Sequence, residues 1–422
     1  MIIAAHTLGC KLNFAETSAI VHRFVEAGHT LVDFHQKADL YIVNTCTVTA
    51  VAEKKCRTAI RQAIALNPEA QVAVVGCFAQ NNAAQISRIK GVTYILGNEN
   101  KHRLYEIVTG IEDYSEQPST QPVSFEPAFS SGDRTRVFFK IQDGCDYFCT
   151  YCAIPFARGR SRSATIDETL AAAHRIAATG AKEVVLTGVN TGTFGQNNGE
   201  SLIDLLRKLD CIDGILRYRI SSIEPNLLTD DIIDFVASSR AFLPHFHIPL
   251  QAGSDRVLSL MHRRYTIADY AAKIDLIRSK MPDACIAADI MAGFNGETET
   301  EFVQVCRYVE SLPISYLHVF TYSERPNTAA LRLGEKIPVA VRREHSRELH
   351  RISDEKRKSF VESQIGLTRP VLWESTCHSG SMQGWTDNYI RVQRPFESSA
   401  VNTVSSIKLD TNNIVDNFSV EN

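Results

Sequence analysis

Cys145, Cys149 and Cys152 crowd three thiols into one short stretch with the spacing C-x3-C-x2-C. Thiolates this close together hold three irons of a [4Fe–4S] cube, and no further cysteine follows nearby to ligate the fourth. An iron left open is what a cluster needs in order to bind and reduce a small molecule. A ferredoxin that only carries electrons supplies the fourth thiolate itself. A zinc knuckle is the competing chemistry, but it wants a second cysteine pair or histidines at set spacing, and none lies close by.

Cys10, Cys46 and Cys77 form a second, dispersed trio at intervals of 36 and 31 residues, each about one βαβ unit long. Each follows an apolar run: Ile2–Ala5, Leu40–Val43 and Val72–Val75. In an open parallel sheet the loops after successive strands gather at one carboxyl edge, so three thiols could meet there and again leave one iron open. Three ordinary buried cysteines would show the same spacing. Cys56, Cys211, Cys285, Cys306 and Cys377 fall on helical or strand-interior positions and read as small hydrophobes. An odd total of eleven cysteines, in a chain whose first residues lack the basic region and long apolar stretch of a signal peptide, argues against a disulfide framework and for the cytosol.

The elements that must position these thiols follow from the patterning. Residues 1–112 alternate strand and helix signals and are expected to form an open parallel-sheet domain of Rossmann or flavodoxin type. Residues 113–134, rich in Ser, Pro and acidic residues, read as a linker. Six β/α units follow, with strands expected at Val137–Ile141, Glu183–Leu186, Arg217–Ser221, His245–Ile248, Ile286–Ile290 and Tyr316–Phe320. They imply a partial (β/α)6 barrel, closed by a long charged helix over 339–364. Residues 365–422 change to short strands and turns, a small antiparallel β-barrel domain. The fold class is therefore α/β with an all-β tail. The 422 residues are 22% charged with a formal net charge of −3, so the bulk composition does not favour nucleic acid, and no apolar run is long enough to span a bilayer.

The stretch GCDYFCTYC resembles the radical S-adenosylmethionine (SAM) superfamily. The whole chain resembles one subfamily within it, the methylthiotransferases. HTLGCKLN at 6–13, VNTCTVT at 43–49 and VVGC at 74–77 are similar to the signatures of that family's N-terminal domain. LTGVNTG at 186–192, SSIEP at 221–225, HIPLQAGSD at 247–255 and HVFTYSERP at 318–326 are similar to its core motifs, and the tail resembles a TRAM domain. KIQDGCDYFCTYCAIPFARGRSRS at 140–163 most resembles the enzymes acting on N6-threonylcarbamoyladenosine of tRNA. The resemblance implies two [4Fe–4S] clusters, one on each trio. It implies that one SAM donates a methyl group, that a second yields a radical that takes hydrogen from C2 of the base, and that sulfur comes from the cluster on Cys10, Cys46 and Cys77. The partners implied are tRNA carrying a modified adenosine beside the anticodon and an electron donor of flavodoxin or ferredoxin type. The same chemistry on isopentenyladenosine tRNA, or on an aspartate of a ribosomal protein, is the alternative.

By position in these motifs, the resemblance implies SAM contacts at Tyr151, Thr187, Gly188, Asn190, Glu224, His247 and Gln251, with Gly293 letting the backbone approach the adenine. Asn295 and Asn327 depart from the family's usual Pro and Gly, and both suit turns. Arg158, Arg160 and Arg162 make a compact basic loop, and Arg263 with Arg264 a second pair. All five are expected to contact RNA. The tail holds four Lys/Arg against six Asp/Glu, so it is not a basic RNA-binding surface.

Overall fold

The computed structural model describes residues 1–114, 122–132 and 134–415. Strands β1 (Ile2–Thr7), β2 (Thr30–Val32), β3 (Leu40–Thr45), β4 (Gln71–Gly76) and β5 (Tyr94–Leu96) form a parallel sheet in the order β2-β1-β3-β4-β5. The apolar run of β3 is buried along its whole length because helices cover both faces. On one face Val72 and Val74 pack with Ile60 and Phe78. On the other Ala73 and Val75 pack with Ile20 and Phe24.

The second parallel set is β7 (Arg136–Lys140), β8 (Glu183–Thr187), β9 (Arg217–Ile220), β10 (His245–His247), β11 (Cys285–Ala292) and β12 (Tyr316–Thr321), with β6 (Ala128–Phe129) running antiparallel to β7. A parallel bridge between Tyr218 and Phe242 links the two halves of this partial barrel. Val137, Phe139, Val184 and Leu186 face its outer helices. The alternate side chains Phe138 and Val185 face away from those helices, where Phe14 and Ala15 of helix α1 (Lys11–Glu26) pack on them. The N-terminal sheet is thereby pinned to the barrel by the helix that begins one residue after Cys10.

The long helix Val339–Gln364 lies along β12, where the Ser353 hydroxyl accepts from the Leu317 amide at 2.9 Å and donates to the Leu317 carbonyl at 3.0 Å. It leads into an antiparallel sheet of β13 (Thr368–His378), β14 (Ser381–Thr386), β15 (Arg391–Pro395) and β16 (Val404–Lys408), ordered β15-β14-β13-β16. This sheet is docked on the barrel by Arg217 and Arg219. Both donate to the Thr386 carbonyl, at 2.9 and 2.7 Å, while Glu183 accepts from Arg219 at 2.7 Å and forms an ion pair with Arg217 at 2.8 Å.

Several local readings shift. The linker over 113–134 contains β6, and residues 115–121 and 133 of it lie outside the described residues. Helix α1 starts at Lys11, with Cys10 at its N-cap and Leu12 and Asn13 buried, so packing sets its first turn. The helix Cys77–Ile86 runs straight on from β4 and is kinked at Asn82 (φ −136°), which hides its first turn in the apolar run. Gly384 interrupts the alternating pattern of β14. A Cβ there would lie 2.5 Å from Val371 Cγ1.

Candidate active site: two cysteine trios and one cavity

β1, β3 and β4 are neighbours in the sheet, and each delivers one cysteine at its carboxyl end. Cys10 is the N-cap of α1, Cys46 follows Thr45 directly, and Cys77 opens the next helix. Gly9, at φ 107°, lets the first two loops close: a Cβ there would stand 2.9 Å from Cys46 Cβ and 3.1 Å from its sulfur. Asn98 Nδ2 donates to Cys77 Sγ at 3.5 Å. Burial, then the neighbouring Cys77, pushes the Cys46 thiol up to about 12. Burial also raises Cys10 against the pull of Arg158. A group that binds these sulfurs as thiolates must therefore displace their protons.

Cys145, Cys149 and Cys152 sit in the loop after β7. Gly144 (φ 71°) is obligatory there, since a Cβ would fall 1.9 Å from the Arg160 carbonyl oxygen. Burial pushes Cys145 up to about 11 and also raises Cys149 and Cys152. Arg263 reaches this loop, donating to Cys149 Sγ at 3.2 Å and to the Tyr151 hydroxyl at 3.4 Å, and pairing with Glu224. Among the described residues, His247, Asp289 and His318 are the one group of three potential ligands whose atoms lie within 4.8 Å of one another.

A cavity of about 510 Å³ joins the two halves of the molecule. Cys10 and Lys11 line it from the N-terminal domain, Thr187, Gly188, His247 and Asp289 from the strand ends, and Trp385 and Tyr389 from the tail sheet. Close by, buried polar atoms await a ligand: Thr187 Oγ1, Ser221 Oγ and both amide atoms of Asn190 have no hydrogen-bond partner. An unmet group of this kind costs about 1–3 kcal/mol, which a polar cofactor such as SAM would relieve. Gln142 Oε1 accepts from the amides of Val189 and Asn190 at 2.9 and 2.8 Å, and its Nε2 donates to the Gly144 carbonyl at 2.8 Å, tying this turn to the cluster loop. Gly188 is needed against Gln142, whose Oε1 would lie 2.8 Å from a Cβ.

His247 Nε2 and Asp289 Oδ1 are 2.5 Å apart, and against the push of burial His247 holds Asp289 below the usual carboxylate range. Burial, with His247 beside it, pushes His318 down to about 4. Gln251 takes φ 65° and its amide donates to the Asp289 carbonyl at 2.8 Å, so its backbone shapes the strand end. Gly293 takes φ 74°, and a Cβ there would lie 2.5 Å from Arg342 Cγ, so the close approach of the long helix itself requires glycine at this position. Asn295 is buried between the Ala330 carbonyl and Arg342. Asn327 adopts φ 65°, the left-handed geometry that asparagine tolerates.

Three of the five arginines expected to face RNA do not. Arg158, 1% exposed, donates to Asn13 Oδ1 at 2.6 Å, to Glu16 at 3.0 and 3.1 Å and to Asp143 at 2.8 Å. Arg162 is buried against Asp143 and the carbonyls of Ser124, Arg158 and Arg160. Arg263 belongs to the cluster loop, as above. Arg160 remains exposed over the Phe148 ring at 4.6 Å, and Arg264 over Tyr147 at 4.0 Å. Sequence reasoning missed the carboxylates of this network, Glu16 and Asp143, which Lys140 bridges at 3.0 and 2.9 Å. It also missed Cys56, whose sulfur accepts from the Cys46 amide at 3.3 Å and whose thiol donates to the Cys46 carbonyl at 3.5 Å. No sequence signal marked either.

Comparison with known proteins places the chain among related sequences and folds. A family model described as "Uncharacterized protein family UPF0004" matches residues 2–97, and the radical SAM superfamily model matches residues 139–309. The chain is 37% identical over 410 residues to the threonylcarbamoyladenosine tRNA methylthiotransferase MtaB of Bacillus subtilis, covering 92% of this chain and 89% of that protein. It is 35% identical to the protein of the same name from Aquifex aeolicus, covering 93% of this chain and 97% of that protein. It is 32% identical to the tRNA-2-methylthio-N(6)-dimethylallyladenosine synthase of Syntrophotalea carbinolica, covering 89% of each. Among solved structures, the radical SAM methyltransferase TsrM of Kitasatospora setae superposes with a TM-score of 0.57 at 15% identity, covering 76% of this chain and 72% of that one, a likeness of fold.

Proposed function

The chain belongs to the radical SAM tRNA methylthiotransferase family, and from that premise we propose that it converts N6-threonylcarbamoyladenosine, 3′ of the tRNA anticodon, into its 2-methylthio derivative. When bound on the two cysteine trios and beside them, two [4Fe–4S] clusters and SAM supply the methyl group, the sulfur and the radical directed at C2 of the base. The residues of the chain place and shield that chemistry. Gln142 fixes the Thr187–Asn190 turn against the radical loop, and Arg263 orders Glu224 and Cys149. The unpartnered Thr187 and Asn190 side chains offer contacts to SAM, and Tyr151 closes the loop edge-on to Phe294, their centroids 6.2 Å apart.

The observation that carries this reading is that Cys10 of the dispersed trio lines the same cavity as Thr187, Gly188, His247 and Asp289 at the barrel strand ends, which supports one substrate space shared by the two domains. We place the enzyme in the cytosol with a flavodoxin- or ferredoxin-type electron donor. Among the described residues no helix is long and apolar enough to cross a membrane.

The deciding experiment is anaerobic turnover of the iron- and sulfide-reconstituted protein with SAM, a strong reductant and tRNA bearing N6-threonylcarbamoyladenosine, read by nucleoside mass spectrometry. The expected result is a 2-methylthio product that disappears in Cys10→Ala while 5′-deoxyadenosine still forms. Product only on isopentenyladenosine tRNA would overturn the substrate assignment and leave the radical chemistry standing.

A further inference from the structure

Lys11 stands out among the residues around the cavity. It is exposed, it lines the cavity beside Cys10, and no carboxylate pairs with it among the described residues. Its positive charge reaches His245, His318 and Tyr389 across that space. The other cation of the lining, Arg357, donates to the Tyr389 carbonyl at 2.8 Å, and the only carboxylate of the lining, Asp289, is held by His247 at 2.5 Å. The cavity therefore carries a surplus of positive charge at one side chain. Its far wall is flat and aromatic: Trp385 stacks on Tyr389 with centroids 4.5 Å apart and ring planes at 25°. An aromatic wall suits a nucleobase, and a lone ammonium at its rim suits an anion attached to that base.

On the substrate reading given above, we propose that the Lys11 ammonium pairs with the threonine carboxylate of the N6-threonylcarbamoyl group and so selects this substituent over uncharged ones. The chemistry of the substituent fits the position. A ureido N–H folded onto ring nitrogen N1 closes a hydrogen-bonded ring and carries the carboxylate round to the C2 side of the base. That is the side that must face Cys10, the neighbour of Lys11. An uncharged alkyl group on N6 would leave the ammonium without a partner, and rejection of a ligand that leaves a polar group unpaired is the stronger form of selectivity.

The test uses the reconstituted holoenzyme without reductant and anticodon stem-loop RNA carrying either the free threonylcarbamoyl acid or its methyl ester, which differ in this one charge. The wild type should bind the acid about tenfold or more tighter than the ester. Lys11→Gln should abolish the difference by weakening the acid alone, and Lys11→Arg should keep it. If Lys11→Gln weakens acid and ester equally, the ammonium contacts an RNA phosphate and the proposal falls. It falls too if the wild type does not distinguish the two. Should Lys11→Gln fail to load iron, the wild-type comparison and Lys11→Arg decide. An enzyme that thiolates only isopentenyl RNA overturns both substrate and Lys11 readings, whereas one that thiolates threonylcarbamoyl RNA without preference for the acid overturns the Lys11 reading alone.

Discussion

Glu183 provides a quantitative test of how the tail sheet is held over the cavity. Its carboxylate, fully buried, faces Arg217 and Arg219 at 2.8 and 2.7 Å. Burial alone would raise it, yet these guanidiniums, with Arg136, hold it at about 2 in place of 4.5. That displacement is roughly 3 kcal/mol of preference for the ionised form in the folded chain. Glu183→Gln keeps the shape and removes the charge, leaving two buried guanidiniums with carbonyl partners only. Breaking a buried pair in this way costs about 3–5 kcal/mol, the same order. Because Arg217 and Arg219 also hold the carbonyls of β14, the loss should appear as opening of the tail sheet. By amide hydrogen exchange at pH 7, β13 and β14 should lose roughly hundredfold protection relative to the wild type. The sign of the pH dependence follows from the depressed carboxyl. Its contribution is complete above the ordinary value of 4.5 and fades as pH falls towards about 2, so the gap between variant and wild type should narrow by pH 3. Protection within about threefold of the wild type at pH 7, or a gap undiminished at pH 3, would refute the docking role.

Three further outcomes are expected. Cys56→Ala should retain the full iron content and lose about 1 kcal/mol of stability, because Cys56 holds the Cys46 backbone and is not a ligand. Loss of half the iron on chemical assay would make it one. Arg263→Met should cut 5′-deoxyadenosine formation at least roughly tenfold and leave the salt dependence of tRNA binding unchanged, since this arginine serves the cluster loop and not a phosphate. A shallower salt slope in a filter-binding titration would restore the RNA reading. Gly144→Ala should fail to load the radical site while the dispersed trio still holds iron, because the added methyl meets the Arg160 carbonyl oxygen. Electron paramagnetic resonance should then show one reducible cluster, and two would show that the loop can shift.

What the sequence made legible was what depends on period and spacing. The parallel runs of β1, β3 and β4 end three, one and one residues before Cys10, Cys46 and Cys77, and strand adjacency does the rest. The six barrel strands were readable for the same reason. β2 and β14 were not, because β2 is three residues long and β14 is broken by Gly384. The charges were read least well. Arg158, Arg160 and Arg162 look alike in sequence as a basic loop, yet the chain there turns Arg158 and Arg162 inward and leaves Arg160 71% exposed. Which way each points is decided by Glu16 and Asp143, which lie 142 and 15 residues away from Arg158. No local window contains that information.

The inward turn of Arg158 has a mechanical consequence. Its guanidinium bonds Asn13 and Glu16, in the first turns of the helix that Cys10 caps. It also bonds Asp143, whose carboxylate accepts from the Gly144 amide at 2.8 Å just before Cys145. One buried side chain thus touches the supports of both cysteine trios. Glu16 is further shared by Lys101 and Lys140, and these cations, outweighing the cost of burial, hold it well below the usual carboxylate range. Four cations converge on two carboxylates, Glu16 and Asp143, so the network is left with a positive surplus. Buried positive charge of that size is tolerable only beside negative charge, and Cys10 and Cys77 are close enough to feel it. The same ion network that touches the supports of both trios therefore favours an anionic group on the dispersed one.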